Sequence, residues 1–117
     1  MTKIFLALFV LSITEVVNAQ QITETGLIHQ LLIIDKPDGQ SNAWVTLHGF
    51  QSAGDCGAVS SGLVRLYVPA NEAGQRQFSA LLAAKIADKQ VTLRVDTTVR
   101  NPDKPEACML HYVLVQD

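Results

Sequence analysis

One stretch decides the fold: "FSALLAAKIADKQVTLRVD", residues 78–96. Its first half is rich in alanine and places apolar side chains at helical spacing, a pattern typical of a helix with one core-facing side. These side chains are Phe78, Leu81, Leu82 and Ile86. Its second half alternates apolar and polar residues, as in a strand with one buried face. The sequence therefore predicts a helix that passes almost directly into a β-strand.

The start of this helix is marked by three residues upstream. Pro69 ends the preceding strand because proline cannot donate to a ladder. Asn71 is suited to be the N-cap. Gly74 weakens the first turn, so the firmly helical part is expected from Gln75 onward.

Four more strands are predicted around this stretch, each a short apolar or alternating run. They span residues 26–34, 43–50, 63–68 and 108–115, and residues 97–107 are expected to be an exposed loop. In the run 63–68, the side chains expected to face the core are those of Val64, Leu66 and Val68. Arg65 and Tyr67 are expected to face solvent.

The order of elements is three strands, a helix and two strands. This order predicts a mainly β fold, a five-stranded OB-type Greek-key barrel with one helix between strands 3 and 4. The helix would close one end of the barrel and bury Phe78. The alternative is an α+β sandwich in which the helix packs on an open sheet.

The chain begins with the features of a signal peptide in residues 1–19. Lys3 gives a positive start, residues 4–13 are apolar, and Val17-Asn18-Ala19 fits the small-residue cleavage rule. The apolar run is shorter than the roughly 20 residues that a membrane span needs. We therefore expect a secreted or periplasmic protein whose residues 20–117 form a single OB-fold domain; a buried N-terminal strand is the alternative.

The two cysteines, Cys56 and Cys108, are predicted to form a disulfide because an exported chain with an even count is oxidised. The bond would close a loop of about 50 residues. A reactive thiol or a metal half-site is the alternative, but the chain has no CxxC spacing to favour it.

Charge and motifs argue against several classes of function. The formal net charge of −2 and the lack of a basic run give no footprint for nucleic acid. His29, His48 and His111 all fall on predicted strands and could converge on zinc, yet no HExxH-like spacing supports a site. No G-x-S-x-G elbow is present. We therefore predict no enzyme activity, no metal and no cofactor.

Three short segments occur in an order found in a known family. They are "TGLI" (25–28), "HGFQSAG" (48–54) and the passage from helix to strand that includes Phe78, Leu81, Ala84, Gln90 and Val91. Together they resemble the B subunits of bacterial A–B toxins, particularly the pertussis-like and subtilase-cytotoxin group. The similarity spans residues 25–95.

The resemblance implies a non-enzymatic subunit that forms a ring, usually a homopentamer, binds a cell-surface glycan and associates with an A subunit. The serine that contacts sugar in that family corresponds to Thr25, and its lysine corresponds to Phe50. The implied ligand edge consists of Thr25, Gly26, Phe50 and Gln51, and Trp44 offers an aromatic face for sugar or for a neighbouring subunit.

Two points stay open. "WVTLHG" (44–49) is similar to a strand of small periplasmic OB-fold stress proteins, which implies a monomeric accessory protein that binds a protein or a small ligand. The alanines of the helix, Ala80, Ala83, Ala84 and Ala87, would suit close contact between subunits. They are explained equally well by alanine's high helix propensity.

Overall fold

The computed structural model describes residues 21–35, 41–102 and 104–116. The predicted signal peptide, residues 1–19, lies outside them. Within the described residues the chain forms strands and one helix in the order β1 (Gln21–Gly26), β2 (Ile28–Asp35), β3 (Ser41–Leu47), β4 (Val59–Ser60), β5 (Leu63–Val64), β6 (Leu66–Val68), α1 (Glu72–Ile86), β7 (Val91–Asn101) and β8 (Lys104–Val115). The fold is mainly β with one helix, as predicted.

Six of these strands form one mixed sheet in the order β1-β7-β8-β6-β3-β2, and β4 pairs with β5 as a separate hairpin. Neighbouring strands are antiparallel except β6 and β8, which run parallel at Tyr67 and Met109. No ladder joins β1 to β2 within the described residues. The sheet is therefore not closed, whereas the sequence predicted a closed barrel. The two edge strands are nevertheless consecutive in the chain, with only Leu27 between them.

Several predicted boundaries are wrong, including those of the predicted strand 26–34, which is interrupted at Leu27, and of the predicted strand 43–50, which ends at Leu47. The expected loop at residues 97–107 is largely strand, because β7 continues to Asn101 and β8 starts at Lys104. Threonine and valine in this segment favour the extended backbone. The predicted strand 63–68 is divided at Arg65, whose backbone N–H donates to the carbonyl of Ala58 at 2.9 Å.

The main core lies on one face of the sheet and against the helix. Its most buried side chains are Val45, Leu47, Phe50, Val64, Leu66, Leu81, Val91, Leu93, Val95 and Cys108. A second, smaller cluster contains Trp44, Ala58, Tyr67 and Ala107. Tyr67 was expected to face solvent but is buried, since it pairs across the sheet with Trp44. The inward orientation of Val64, Leu66 and Val68 is confirmed.

The helix buries a narrower stripe than the sequence suggested. Leu81 is buried and Phe78 packs half-buried against the core, but Leu82 is 44% and Ile86 77% exposed. The buried side runs through Gly74, Leu81 and Ala84. Each residue turns the helix by about 100°, so Leu82 and Ile86 point well away from Leu81.

The predicted disulfide between Cys56 and Cys108 is present, with 5.5 Å between the Cα atoms. The loop that carries Cys56 is also held by an ion pair, because Arg100 Nη2 lies 2.6 Å from Asp55 Oδ1. The irregular segment before β4 is thereby fixed to the β7–β8 hairpin. Among the described residues we find no helix with the length and hydropathy of a membrane span.

Candidate functional site

An open cleft of about 1230 Å³ lies between the first half of α1 and the β7–β8 hairpin. Its apolar wall includes Ile33, Ala43, Val68, Phe78, Val99, Met109 and Leu110. Its polar lining includes Asn71, Gln75, Gln77, Ser79, Asp96, Arg100 and His111. An apolar wall with a few polar groups is the usual make-up of a small-molecule site.

Gln77 provides the most distinctive polar atom of the cleft. Its Nε2 donates to the backbone oxygen of His111 at 3.0 Å, which fixes the orientation of the amide. Its Oε1 is buried and has no hydrogen-bond partner among the described residues. Such an acceptor costs about 1–3 kcal/mol while unpaired. A ligand in the cleft would recover that cost only if the Gln77 side chain turned, because the oxygen is closed to solvent in this structure.

The charged groups of the cleft are already engaged by protein partners. Asp96 Oδ1 accepts hydrogen bonds from Thr98 Oγ1 at 2.6 Å and from Thr98 N at 2.9 Å. Arg100 donates from Nε to the carbonyl of Thr97 at 2.7 Å and pairs with Asp55. The cleft is therefore suited to a polar, uncharged ligand more than to an ion.

The Thr98 side chain and backbone hydrogen bonds, with a smaller contribution from the charge of His111, lower the pKa of Asp96. A carboxyl whose pKa is lowered by folding stabilises the folded state above its unfolded pKa. That stabilisation is lost as the pH falls from about 4 through the lowered value.

We expect Thr98→Val to raise the pKa of Asp96 toward its usual value, because the largest of these contributions is removed. An NMR titration of the Asp96 carboxyl would measure the change. Thr23→Val is the control, since the Thr23 hydroxyl accepts from Arg94 and does not contact Asp96. An unchanged Asp96 titration in Thr98→Val would contradict the assignment of the hydroxyl as the main cause.

The predicted ligand edge lies outside the cleft, at the junction of β1 and β2. The backbone N–H of His48 donates to Leu27 O at 2.9 Å, which brings the start of the 48–54 segment to the end of β1. At Gly26 a Cβ would lie only 2.8 Å from the carbonyl oxygen of His48. Thr25 is exposed and its hydroxyl is hydrogen-bonded to Thr92 at 2.7 Å, and Gln51 is exposed. The structure thus brings Thr25 and Gly26 close to the segment that carries Gln51.

The two aromatic members of that predicted edge are buried. Phe50 is 2% exposed and belongs to the main core. Trp44 is 8% exposed in the second cluster, with the guanidinium of Arg65 at 5.5 Å from its ring centroid. Neither side chain offers an aromatic face to a ligand. Ligand binding at Thr25, Gly26 and Gln51 stays a prediction from the sequence, and the cleft is the competing location for the site.

The three histidines do not converge. His29 and His48 are in contact, with ring centroids 4.8 Å apart, whereas His111 stacks on Tyr112 and borders the cleft. Across the described ranges, no three His, Cys, Asp or Glu side chains are placed to hold a metal ion together.

The cleft could not be predicted from the sequence, because the hydrogen bond that orients Gln77 joins it to a carbonyl 34 residues away. The only local signal is a glutamine one residue before Phe78, near the buried side of the helix.

Fold and site together define a mainly β domain with one disulfide and an open, largely uncharged cleft. Comparison with known proteins finds no matching family model, no matching curated protein and no matching solved structure. The likeness to toxin B subunits therefore stays a prediction from the three sequence segments.

Proposed function

We propose that this chain is an exported, non-enzymatic binding module of OB type that binds a glycan as a ring-shaped oligomer. The strands β1 and β2 are consecutive in the chain, yet β1 pairs with β7 at one edge of the sheet and β2 pairs with β3 at the other. This strand order supports the OB-type topology. It is also supported by the parallel contact of β6 with β8. An OB barrel is itself partly open, so an unclosed sheet is compatible with it.

The observation that carries the binding function is the open cleft, which has an apolar wall and polar side chains along its lining. The exposed side chains of Gln75 and Ser79 offer hydrogen-bonding groups to sugar hydroxyls, and the half-buried ring of Phe78 offers an apolar surface for the sugar. Since Asp96 and Arg100 have partners of their own, a neutral part of a glycan fits better than a charged one.

Ring assembly is supported by the outer surface of the helix. Leu82, Ala83, Ile86 and Ala87 are all exposed and lie at helical spacing. Exposed apolar patches of this kind mark contact sites between proteins. We propose that this helix surface packs against a neighbouring copy in a homopentamer, to which an A subunit would attach.

Native mass spectrometry at micromolar concentration tests the ring, and we expect a mass of five chains. Ile86→Asp should shift the population to monomer because it places a charge in the subunit contact. Val59→Asp is the matched control, since Val59 is an exposed apolar residue on the β4–β5 hairpin. A wild-type monomer would reject the ring and favour the monomeric accessory protein.

A glycan array followed by affinity measurement on the best sugar tests the ligand and its place. Ser79→Tyr should weaken binding at least about tenfold, or roughly 1.4 kcal/mol, because Ser79 is exposed and lines the cleft. Thr25→Val and Gln51→Ala should leave affinity unchanged. The reverse pattern of affinities would place the sugar-binding site at Thr25 and Gln51 instead of in the cleft. No bound sugar on the array would reject glycan binding.

A further inference from the structure

A pair of imidazoles lies outside the cleft, at the junction of β2 and β3. His29 occupies an irregularity in the β2–β3 ladder, between the paired residues Ile28 and Gln30. His48 directly follows the last residue of β3. The two rings meet edge to face, with centroids 4.8 Å apart and planes at 84°. A ladder irregularity of this type commonly redirects a side chain.

The spacing of the rings matches that of two imidazoles bound to one ion. A metal–nitrogen bond is about 2.0–2.1 Å, and the ring centroid lies roughly 1 Å behind the nitrogen. At a tetrahedral or a square angle, the two centroids are then about 4.5–5 Å apart.

The surroundings of His29 also fit a metal ligand. Its Nδ1 lies 3.4 Å from the hydroxyl oxygen of Thr46, which is fully buried and also accepts from the backbone N–H of Gln30 at 3.1 Å. A hydroxyl oxygen has two lone pairs, so it can accept from both nitrogens. With Nδ1 protonated and facing Thr46, Nε2 carries the free lone pair for the ion. Orientation of a ligating histidine by its second ring nitrogen is the general arrangement.

We propose that His29 and His48 form a two-imidazole site for a divalent transition-metal ion that favours nitrogen ligands, such as Cu²⁺ or Zn²⁺. The remaining coordination positions are filled by water, since His48 is exposed and His29 is half-buried. The amine of Lys85 donates to the carbonyl of His29 at 3.4 Å. Its positive charge lowers the affinity of the site for a metal cation. The site would tie the end of β3 to β2 and is independent of glycan binding.

Titration with Zn²⁺ followed by NMR of the histidine side chains tests the proposal on the intact domain. We expect the imidazole nitrogens of His29 and His48 to shift together and to saturate at one ion per chain. His111 should not follow them, because it stacks on Tyr112 away from the pair. Shifts at His48 alone, or equal shifts at all three histidines, would overturn the proposal.

Affinity for Cu²⁺, measured by calorimetry in glycine buffer, provides the second readout. His29→Asn and His48→Asn should each weaken binding at least about tenfold, and His111→Asn is the matched control with unchanged affinity. Bound Cu²⁺ should also raise the Tm of the wild type but not of the two variants. If His29→Asn fails to fold, the NMR titration of the wild type still decides. Equal affinities in all four proteins would reject the site.

Discussion

Gly74→Ala is expected to destabilise the domain by about 3 kcal/mol, although alanine is the better helix former by about 1 kcal/mol. A Cβ at this position would lie 1.5 Å from the carbonyl oxygen of Pro69 and 2.6 Å from its carbonyl carbon. Both atoms belong to the backbone, so no side-chain rotation can relieve the overlap. The first turn of the helix must move away from the end of β6. Urea unfolding of both proteins measures the difference.

Gly57→Ala is the matched control for this result. A Cβ at Gly57 meets only the Cβ of Glu106, at 3.6 Å, which is an ordinary contact. We expect its stability to stay within about 0.5 kcal/mol of the wild type. If Gly74→Ala proved as stable as Gly57→Ala, the close approach of Pro69 to the helix would be refuted.

Removal of the disulfide by the double substitution Cys56→Ala and Cys108→Ala is expected to cost about 4 kcal/mol. The bond joins residues 52 positions apart, and without it the unfolded chain gains the entropy of a long loop. Small domains have only about 5–15 kcal/mol of stability in all. The midpoint of urea unfolding should therefore fall sharply in the double variant.

Reduction of the wild type with dithiothreitol separates the bond from the substitutions. The reduced wild type should unfold close to the midpoint of the double variant, and dithiothreitol should leave that variant unchanged. If oxidised and reduced wild type unfolded at the same midpoint, the crosslink would contribute nothing, and the Arg100–Asp55 pair and core packing would hold the loop alone.

The features that could be predicted from the sequence are those with a local signal. Apolar alternation identified residues 91–96 as strand, and helical spacing identified the helix around Leu81. Asn71 was predicted as the N-cap and its Oδ1 accepts from Gly74 N at 2.9 Å. The cysteine pairing followed from an even count of two.

The features that could not be predicted depend on contacts between distant residues. Tyr67 is buried because Trp44, on a neighbouring strand, forms a second cluster on that side of the sheet. Gly74 was expected to weaken the helix, but α1 begins at Glu72 and the glycine is required by Pro69. The cleft forms where the β7–β8 hairpin packs beside the helix. No local sequence pattern predicts how these two elements are placed relative to each other.

The pairing of β1 with β7 has a consequence for how the domain is made. Thr25 and Thr92, hydrogen-bonded across these strands, are separated by 67 residues of chain. The first of the described strands, β1, thus pairs with a strand that is synthesised much later, and contacts of such long separation slow folding. The described sheet can be completed only once the β7–β8 hairpin, residues 91–115, has been produced.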